Sequence, residues 1–253
     1  MIGTVHADVV VGVALAAGLY IAAWRAVRER IRPARPTAFA GALAAVLVAL
    51  NGPLHDLAEG ALFSAHMLQH LLLTLVVPPL LLAGVPTFMI DALLAPPLAR
   101  RAPRVVLRTV TRPVPALAVY TIVLVAWHLP GPYDAAMRSH GLHIAEHAML
   151  VGAALLAWWP VASTSRRLPS LPYAAQILYL FAFGMPMTIV AAMITGAEEM
   201  LYPFYTVAPN MTALTALADQ RLGGILMWVP AGVVPVVAFT AVFFRWAAAE
   251  SED

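Results

Sequence analysis

The sequence has no cysteine and no lysine, and little charge of either sign. Without cysteine, the chain cannot form disulfides, thiolate metal sites or cysteine nucleophiles. Charged residues make up 11% of the 253 residues, whereas an ordinary soluble domain is roughly a quarter charged. Hydrophobic residues reach 62% and the mean hydropathy is +0.83. A chain this apolar cannot cover a water-exposed globule with polar surface, so the composition indicates an integral membrane protein.

The apolar runs are long and unbroken, which favours membrane-spanning helices over a barrel of alternating strands. We predict an all-α, polytopic helix bundle of about seven spans, forming one domain over residues 1–253. The spans are predicted at about residues 8–25, 37–51, 62–84, 114–129, 142–160, 173–194 and 222–244.

Residues 88–112 are predicted to form an amphipathic helix on the cytoplasmic face, broken by Pro96, Pro97 and Pro103. Arginines recur every four residues in this segment and would therefore share one helix face, which we interpret as a lipid anchor. These arginines are Arg100, Arg104, Arg108 and Arg112.

The arginines are unevenly divided between the two sides of the predicted bundle. If the spans alternate, thirteen of the fifteen fall on one side, and only Arg138 and Arg221 on the other. The positive-inside rule then places the N-terminus outside and the C-terminus in the cytoplasm. We expect no cleavable signal peptide, because no basic segment precedes the first apolar run. Anionic lipid headgroups account for the basic pI of about 9.2, and we expect no nucleic-acid partner.

All eight histidines fall in the outer half of this topology or beyond it. His66 and His70 in HMLQH are four residues apart, as are His143 and His147 in HIAEH. Such pairs lie on one face of a helix, so the two pairs could converge in the bundle. Ionisable residues inside a membrane usually mark a pathway or ligand site, and imidazole is the commonest metal ligand. We therefore predict an outward-facing metal pocket, with His128 as a further candidate ligand.

Other side chains could complete or support this pocket. Met67 and Met227 are candidate soft ligands, because thioether and imidazole together suit copper(I), although methionine also fills gaps in apolar packing. Glu146 lies about 100° around the helix from His147, so we expect it to face a different neighbour. Acidic residues on the same side could orient the imidazoles from an outer layer, namely Asp56, Glu59, Asp134, Glu146, Glu198, Glu199 and Asp219.

Three segments carry a family resemblance. They are FSAHMLQHLLLTLVVPPLLLAGVP at 63–86, AWHLPGPYDAAMRSHGLHIAEHAMLVGAALLAWWPV at 126–161, and DQRLGGILMWVPAG at 219–232. Together they resemble the membrane-integral cytochrome c oxidase assembly factors called CtaG, in the branch linked to caa-type oxidases. The combination of HMxQH, WHxPxxYD, HxxEH and DQxLGGxxMW is specific, and the resemblance extends over nearly the whole chain from about residue 37.

The resemblance implies a non-enzymatic, seven-helix protein of the bacterial cytoplasmic (inner) membrane that helps to mature haem–copper cytochrome oxidase. Its partners would be oxidase subunits and its metal would be copper, with zinc or haem as alternatives. The oligomeric state is not readable from the sequence. The motif matches carry over His66, His70, His128, His143, His147, Asp219 and Gln220. We expect the histidines to bind copper, and another set to orient ligands or contact the client, namely Asp219, Gln220, Glu146 and Asp134.

Three other functions stay open at this point. His143, Glu146 and His147 spell HxxEH, the inverted zinc motif of a metalloprotease, whose glutamate acts as general base. One histidine from each pair could instead hold a haem between two helices, as in a membrane cytochrome. A copper or proton transporter would use the same residues as a path. That path would have few polar residues to continue it, namely Gln176, Tyr179 and Thr188.

Overall fold

A computed structural model describes residues 3–27, 32–207 and 213–251. Over these ranges the chain is helical and contains no strand. The helices are α1 (Ala7–Val27), α2 (Ala34–Leu50), α3 (Gly52–Gly60), α4 (Phe63–Leu71), α5 (Val77–Gly84), α6 (Thr87–Ala99), α7 (Arg101–Val110), α8 (Pro113–His128), α9 (Pro130–Met137), α10 (His140–Ala162), α11 (Tyr173–Phe183), α12 (Met185–Gly196) and α13 (Ala216–Glu250). A π-helical turn, Leu72–Val76, joins α4 to α5, and a 3₁₀ turn, Pro203–Thr206, precedes α13.

The described helices supply between five and seven candidate membrane spans. Five segments are long and apolar enough to cross a membrane alone: Ala7–Val27, Phe63–Gly84, His140–Ala162, Tyr173–Gly196 and Ala216–Glu250. Two bent pairs make up the rest, α2 with α3 (42°) and α7 with α8 (80°). The predicted all-α, polytopic membrane bundle is thereby confirmed. The orientation of the termini stays a prediction. Two of the arginines on which this prediction depends, Arg28 and Arg30, lie outside the described residues.

The helix predicted over residues 88–112 is broken, but the prediction that its prolines mark the break is wrong. α6 continues through Pro96 and Pro97, and the chain turns only at Arg100, whose backbone is extended (φ −95°, ψ 139°). A proline lacks its own N–H, but its carbonyl still accepts a hydrogen bond. The Arg100 N–H donates to the Pro97 carbonyl at 3.2 Å, which closes the helix after the prolines instead of before them.

The break at Arg100 also changes the predicted arginine stripe. Arg100 and Arg112 both have extended backbone and flank α7 instead of lying within it. Of the predicted stripe, Arg104 and Arg108 therefore still share a face of one helix, and Arg101 at the start of α7 lies on the same face. α7 has no buried residue, so the shorter basic helix still suits the lipid surface that the sequence predicts.

The third span carries the first histidine pair and changes its helical type part-way. Pro78 and Pro79 lack the N–H groups that an α-helix would direct at the carbonyls of Thr74 and Leu75. The π-helical turn lies in front of these prolines, where the usual ladder cannot continue. Trp158 of α10 donates its ring N–H to the Thr74 carbonyl at 3.0 Å. This bond ties α10 to the third span just below the histidines.

The long helix α13 packs along α4 and α12, and two adjacent glycines permit the close approach. A Cβ at Gly224 would lie 2.8 Å from the Thr195 backbone nitrogen and 3.1 Å from the Ala191 carbonyl oxygen. A Cβ at Gly223 would collide with the Phe63 ring at the start of α4. The LGG element of the last motif therefore has a packing explanation, and it fixes α13 against the helix that carries His66 and His70.

Candidate metal centre

Four side chains from two helices converge at one end of the bundle. His66 and His70 come from α4, and Glu146 and His147 from α10. One ligating atom from each lies within 4.8 Å of the other three, and we call these residues the four-residue group. All four are buried, with exposed fractions between 0% and 8%. The four-residue spacing in α4 places both imidazoles on the face that meets α10.

The distances within the group are those of atoms that could share one ion. His66 Nε2 and His70 Nε2 are 2.8 Å apart. One Glu146 oxygen lies 3.6 Å from His70 Nε2, and the other lies 3.9 Å from His66 Nε2. The His147 ring centroid is 5.3 Å from that of His70 and 5.6 Å from that of His66. The carboxylate and the imidazoles thus face one small common space.

Several buried polar atoms at this end of the bundle have no hydrogen-bond partner within the described residues. Buried polar atoms are normally paired, and leaving one unpaired costs free energy. Three imidazoles and a carboxylate form a donor set that fits copper or zinc, and an ion there would satisfy unpaired acceptors. The unpaired atoms include both oxygens of Glu146, His70 Nδ1, His147 Nε2, His128 Nε2 and His143 Nε2.

Two tyrosine hydroxyls hold the far side of the His66 ring. Tyr133 and Tyr205 place their oxygens 2.9 Å and 3.3 Å from His66 Nδ1, and 3.0 Å from each other. The Tyr205 hydroxyl also donates to the Ala58 carbonyl at 3.0 Å. Such outer partners fix the tautomer and orientation of a ligating imidazole. With its Nδ1–H donated to a tyrosine oxygen, His66 would present Nε2 to an ion.

The two remaining predicted ligands, His143 and His128, border the four-residue group. The His143 ring centroid lies 5.1 Å from that of His66, and its Nδ1 lies 2.9 Å from a Glu59 oxygen. The His128 ring centroid lies 5.3 Å from that of His70. His128 Nδ1 donates to the Leu124 carbonyl at 2.7 Å, which leaves its Nε2 as an acceptor. The structure therefore brings all five predicted histidines together, three of them within the group.

The expectation that Glu146 faces a different neighbour from His147 is wrong. Glu146 is fully buried, and its two oxygens approach both imidazoles of α4. Two side chains about 100° apart on a helix can still converge when their target lies between the two directions. His66 and His70 occupy that position opposite α10.

Asp219 caps the helix of the first histidine pair, and its predicted role in orienting ligands or contacting a client stays a prediction. Its carboxylate accepts the N–H of Phe63 at 2.7 Å and that of Ser64 at 3.4 Å. It also accepts a hydrogen bond from the Ser64 hydroxyl. The first N–H groups of a helix have no partner within the helix, so this carboxylate from α13 supplies one and fixes the start of α4.

Gln220 and Asp134 hold the segment that leads to Tyr205. The Gln220 amide accepts the N–H of Leu201 at 2.8 Å and donates to the Glu199 carbonyl at 3.3 Å. Asp134 accepts the N–H of Phe204 at 2.9 Å. Both residues therefore act on the segment that places the Tyr205 hydroxyl against His66, and their predicted client contact stays a prediction.

The predicted soft ligands lie in the main hydrophobic core. Met67 packs opposite Gly223, where an added Cβ would lie 3.2 Å from the Met67 Cγ atom. Met227 lies one turn further along α13 and is 1% exposed. The converging donors of the four-residue group are nitrogen and oxygen, so the site does not need sulfur to hold an ion.

The sequence profile of the cytochrome c oxidase caa3 assembly factor matches residues 18–249 of this chain. The chain belongs to this family. The matched residues include both histidine pairs, His66 with His70 and His143 with His147.

Curated relatives have no more specific description. Uncharacterized proteins of Mycobacterium bovis and Mycobacterium tuberculosis are each 28% identical over 203 residues, and one of Mycobacterium leprae is 29% identical over 203 residues. These alignments cover 74% of this chain but 30% of each relative, so the chain spans about a third of their length. No solved structure matches the chain.

Tyr133 and Tyr205 are the contributors to this CtaG-type site that sequence reasoning missed. Tyr133 lies within the WHxPxxYD motif, so its position next to an aspartate was a usable signal. Tyr205 lies in a 3₁₀ turn outside every motif, and 139 residues separate it from His66. Sequence alone offered no signal for this contact.

Proposed function

We propose that this chain holds a copper ion in the four-residue group and passes it to an oxidase subunit during maturation. The observation that carries the proposal is the convergence of three imidazoles and one carboxylate in a member of an oxidase assembly-factor family. All four side chains are buried, and three of them, His70, Glu146 and His147, have unpaired polar atoms. Imidazole suits several transition metals. The family relation to a haem–copper oxidase is what favours copper over zinc.

Transfer would take place at the outer face of the cytoplasmic membrane. The concentration of arginines on the opposite side of the predicted topology supports this orientation. His128 Nε2 and His143 Nε2 border the group without hydrogen-bond partners among the described residues. They would serve as successive ligands when the ion moves between this chain and its client.

The contacts of HxxEH favour ion holding over proteolysis. A protease of this motif needs both histidines as ligands and the glutamate free to act as base. Here His143 lies outside the four-residue group, and Glu146 lies among the ligand atoms themselves. The four atoms also lie within 4.8 Å, a space that suits one ion better than a haem macrocycle.

The polar residues that a transporter would use below the site are already bonded to backbone. Gln176 donates to the Leu171 carbonyl at 2.6 Å, and Tyr179 donates to the Ala157 carbonyl at 2.7 Å. Thr188 donates to the Gly184 carbonyl at 2.9 Å. These groups serve helix and loop structure, which supports storage and transfer at one face over passage through the bundle.

The test is metal analysis together with an optical spectrum of the chain purified in detergent. We expect about one copper per chain, from one group of four ligands, and no haem absorption band. Zinc in place of copper would contradict copper holding and indicate a zinc site. A haem band would contradict it as well and indicate a membrane cytochrome. A chain that takes up no metal, even when incubated with copper, would contradict metal holding altogether.

Replacing Glu146 with Leu should separate metal binding from stability. We expect copper affinity to fall by about 100-fold, because a ligand contributes at least as much as an outer-layer partner. Without metal, the variant should unfold at a higher temperature, since an apolar side chain of similar size replaces a buried group with two unpaired oxygens. Competition with a copper chelator and thermal unfolding measured by circular dichroism give the two quantities.

Glu146→Gln is the matched control for this substitution. It keeps the shape and the buried polarity but removes the charge, so we expect weaker copper binding with no gain in unfolding temperature. A Leu variant that binds copper normally would remove Glu146 from the ligand set. A metal-free Leu variant that unfolds earlier than the parent chain would mean that the carboxylate supports the fold.

A further inference from the structure

A cavity of about 400 Å³ lies next to the four-residue group and is lined by both polar and apolar side chains. Histidines and carboxylates line one part of it, including His6, His55 and Glu59. Apolar side chains such as Leu73 and Val77 line another part. His143 and His147 also line it, so the cavity wall is continuous with the candidate metal site. Only the polar part offers ligands to an ion.

The polar part of the cavity contains a chain of contacts from a half-exposed carboxylate to the buried group. One oxygen of Glu59 lies 3.2 Å from His55 Nε2 and 2.9 Å from His143 Nδ1. The Glu59 side chain is 34% exposed, whereas the His143 side chain is 7% exposed. The His6 ring lies edge-on against His55, with centroids 4.2 Å apart. Glu59 therefore connects the solvent-accessible part of the cavity with the buried His143.

His143 connects the two sets of ligands through its opposite ring nitrogens. Its Nδ1 faces Glu59, while its Nε2 is buried without a hydrogen-bond partner among the described residues. Its ring centroid lies 4.3 Å from that of His147 and 5.1 Å from that of His66. An unpaired imidazole nitrogen in this position could take an ion from one side and release it to the other.

We propose that this cavity is the loading route of the metal site, in which Glu59 and His55 capture a copper ion and His143 passes it to His147. This inference rests on the proposed copper-holding function. Two carboxylates, Glu59 and Asp8, line the cavity, and no arginine is among the described lining residues. A cleft lined by groups of one charge sign attracts the opposite ion and raises its rate of association.

The test compares Glu59→Gln with the parent chain in the rate and in the equilibrium of copper exchange. Metal-free protein in detergent is mixed with a copper(I)–chelator complex, and chelator absorbance is followed over time in both directions. We expect loading to slow by about tenfold or more. Release should slow by the same factor, because a residue on the route changes rates without changing the final affinity or the copper content.

Asp56→Asn is the matched control, since this carboxylate, predicted as an outer-layer partner of the imidazoles, lies on the same helix but is exposed and accepts the Thr4 N–H at 2.8 Å. It should exchange copper at the parent rate. His55→Gln supplies a second variant of the route, with the same expectation as Glu59→Gln. If both route variants load at the parent rate, the route is overturned.

Loss of bound copper at equilibrium in the Glu59 variant would also overturn the proposal, because Glu59 would then be a ligand of the site itself. Failure of the underlying function has a different signature. In that case the parent chain takes up no copper, whichever residue is changed. Slower exchange at unchanged affinity supports the loading route alone.

Discussion

The double variant His66→Ala/His70→Ala is expected to retain no copper when the parent chain retains it stoichiometrically. The substitution removes two of the four converging ligands and leaves only Glu146 and His147. Outer partners of metal ligands contribute about 10–100-fold to affinity, so the loss of two ligands should exceed that range. Copper per chain, measured after gel filtration in detergent, checks the prediction.

Leu68→Ala is the control for the double variant. Leu68 lies between the two histidines on α4, but its side chain is 39% exposed and faces away from the group. We expect this variant to bind copper like the parent chain, with the same helical circular dichroism spectrum. Stoichiometric copper in a correctly folded double variant would refute the assignment of His66 and His70.

Replacing Asp219 with Ala is expected to destabilise the protein by about 2–4 kcal/mol. The substitution leaves the N–H groups of Phe63 and Ser64, and the Ser64 hydroxyl, without their acceptor in a buried position. We also expect weaker copper binding, since α4 loses the contact that fixes its first turn. Thermal unfolding in detergent and chelator competition measure the two effects.

Asp219→Asn separates this structural role from the client contact that the sequence suggested. The Asn side chain keeps one oxygen as an acceptor, so its loss of stability should be smaller than that of Asp219→Ala. If Asp219→Ala unfolds like the parent chain but fails to support oxidase maturation in cells, the capping role is contradicted. The residue would then act on the client directly.

The meeting of the two histidine pairs followed from simple rules. A four-residue spacing places His66 with His70, and His143 with His147, on single helix faces. Hydropathy assigned both pairs to spans at similar depth, and burying them within the bundle avoids the cost of imidazoles facing lipid. The helices themselves were predictable as well, because a long apolar segment inside a membrane satisfies its backbone hydrogen bonds by forming a helix.

The supporting contacts were not predictable, because they depend on how distant segments pack. Asp219 meets Ser64 across 155 residues, and Tyr205 meets His66 across 139. The motif marked Asp219 as important but could not distinguish a helix cap from a client contact. Glu146 was misjudged because a helical wheel gives the direction of a side chain on its own helix, not the position of the neighbouring helix.

The π-helical turn at Leu72–Val76 separates the geometry of the histidine pair from the length of the span. A continuous helix would couple the two. A one-residue length change within α4 would rotate His70 by about 100° relative to His66 and break the register of the imidazoles. The same change inside the turn can be taken up by widening or tightening it. A change in the length of the lower half of this span, as a bilayer of different thickness would require, would therefore leave the geometry of the histidines in the upper half unchanged.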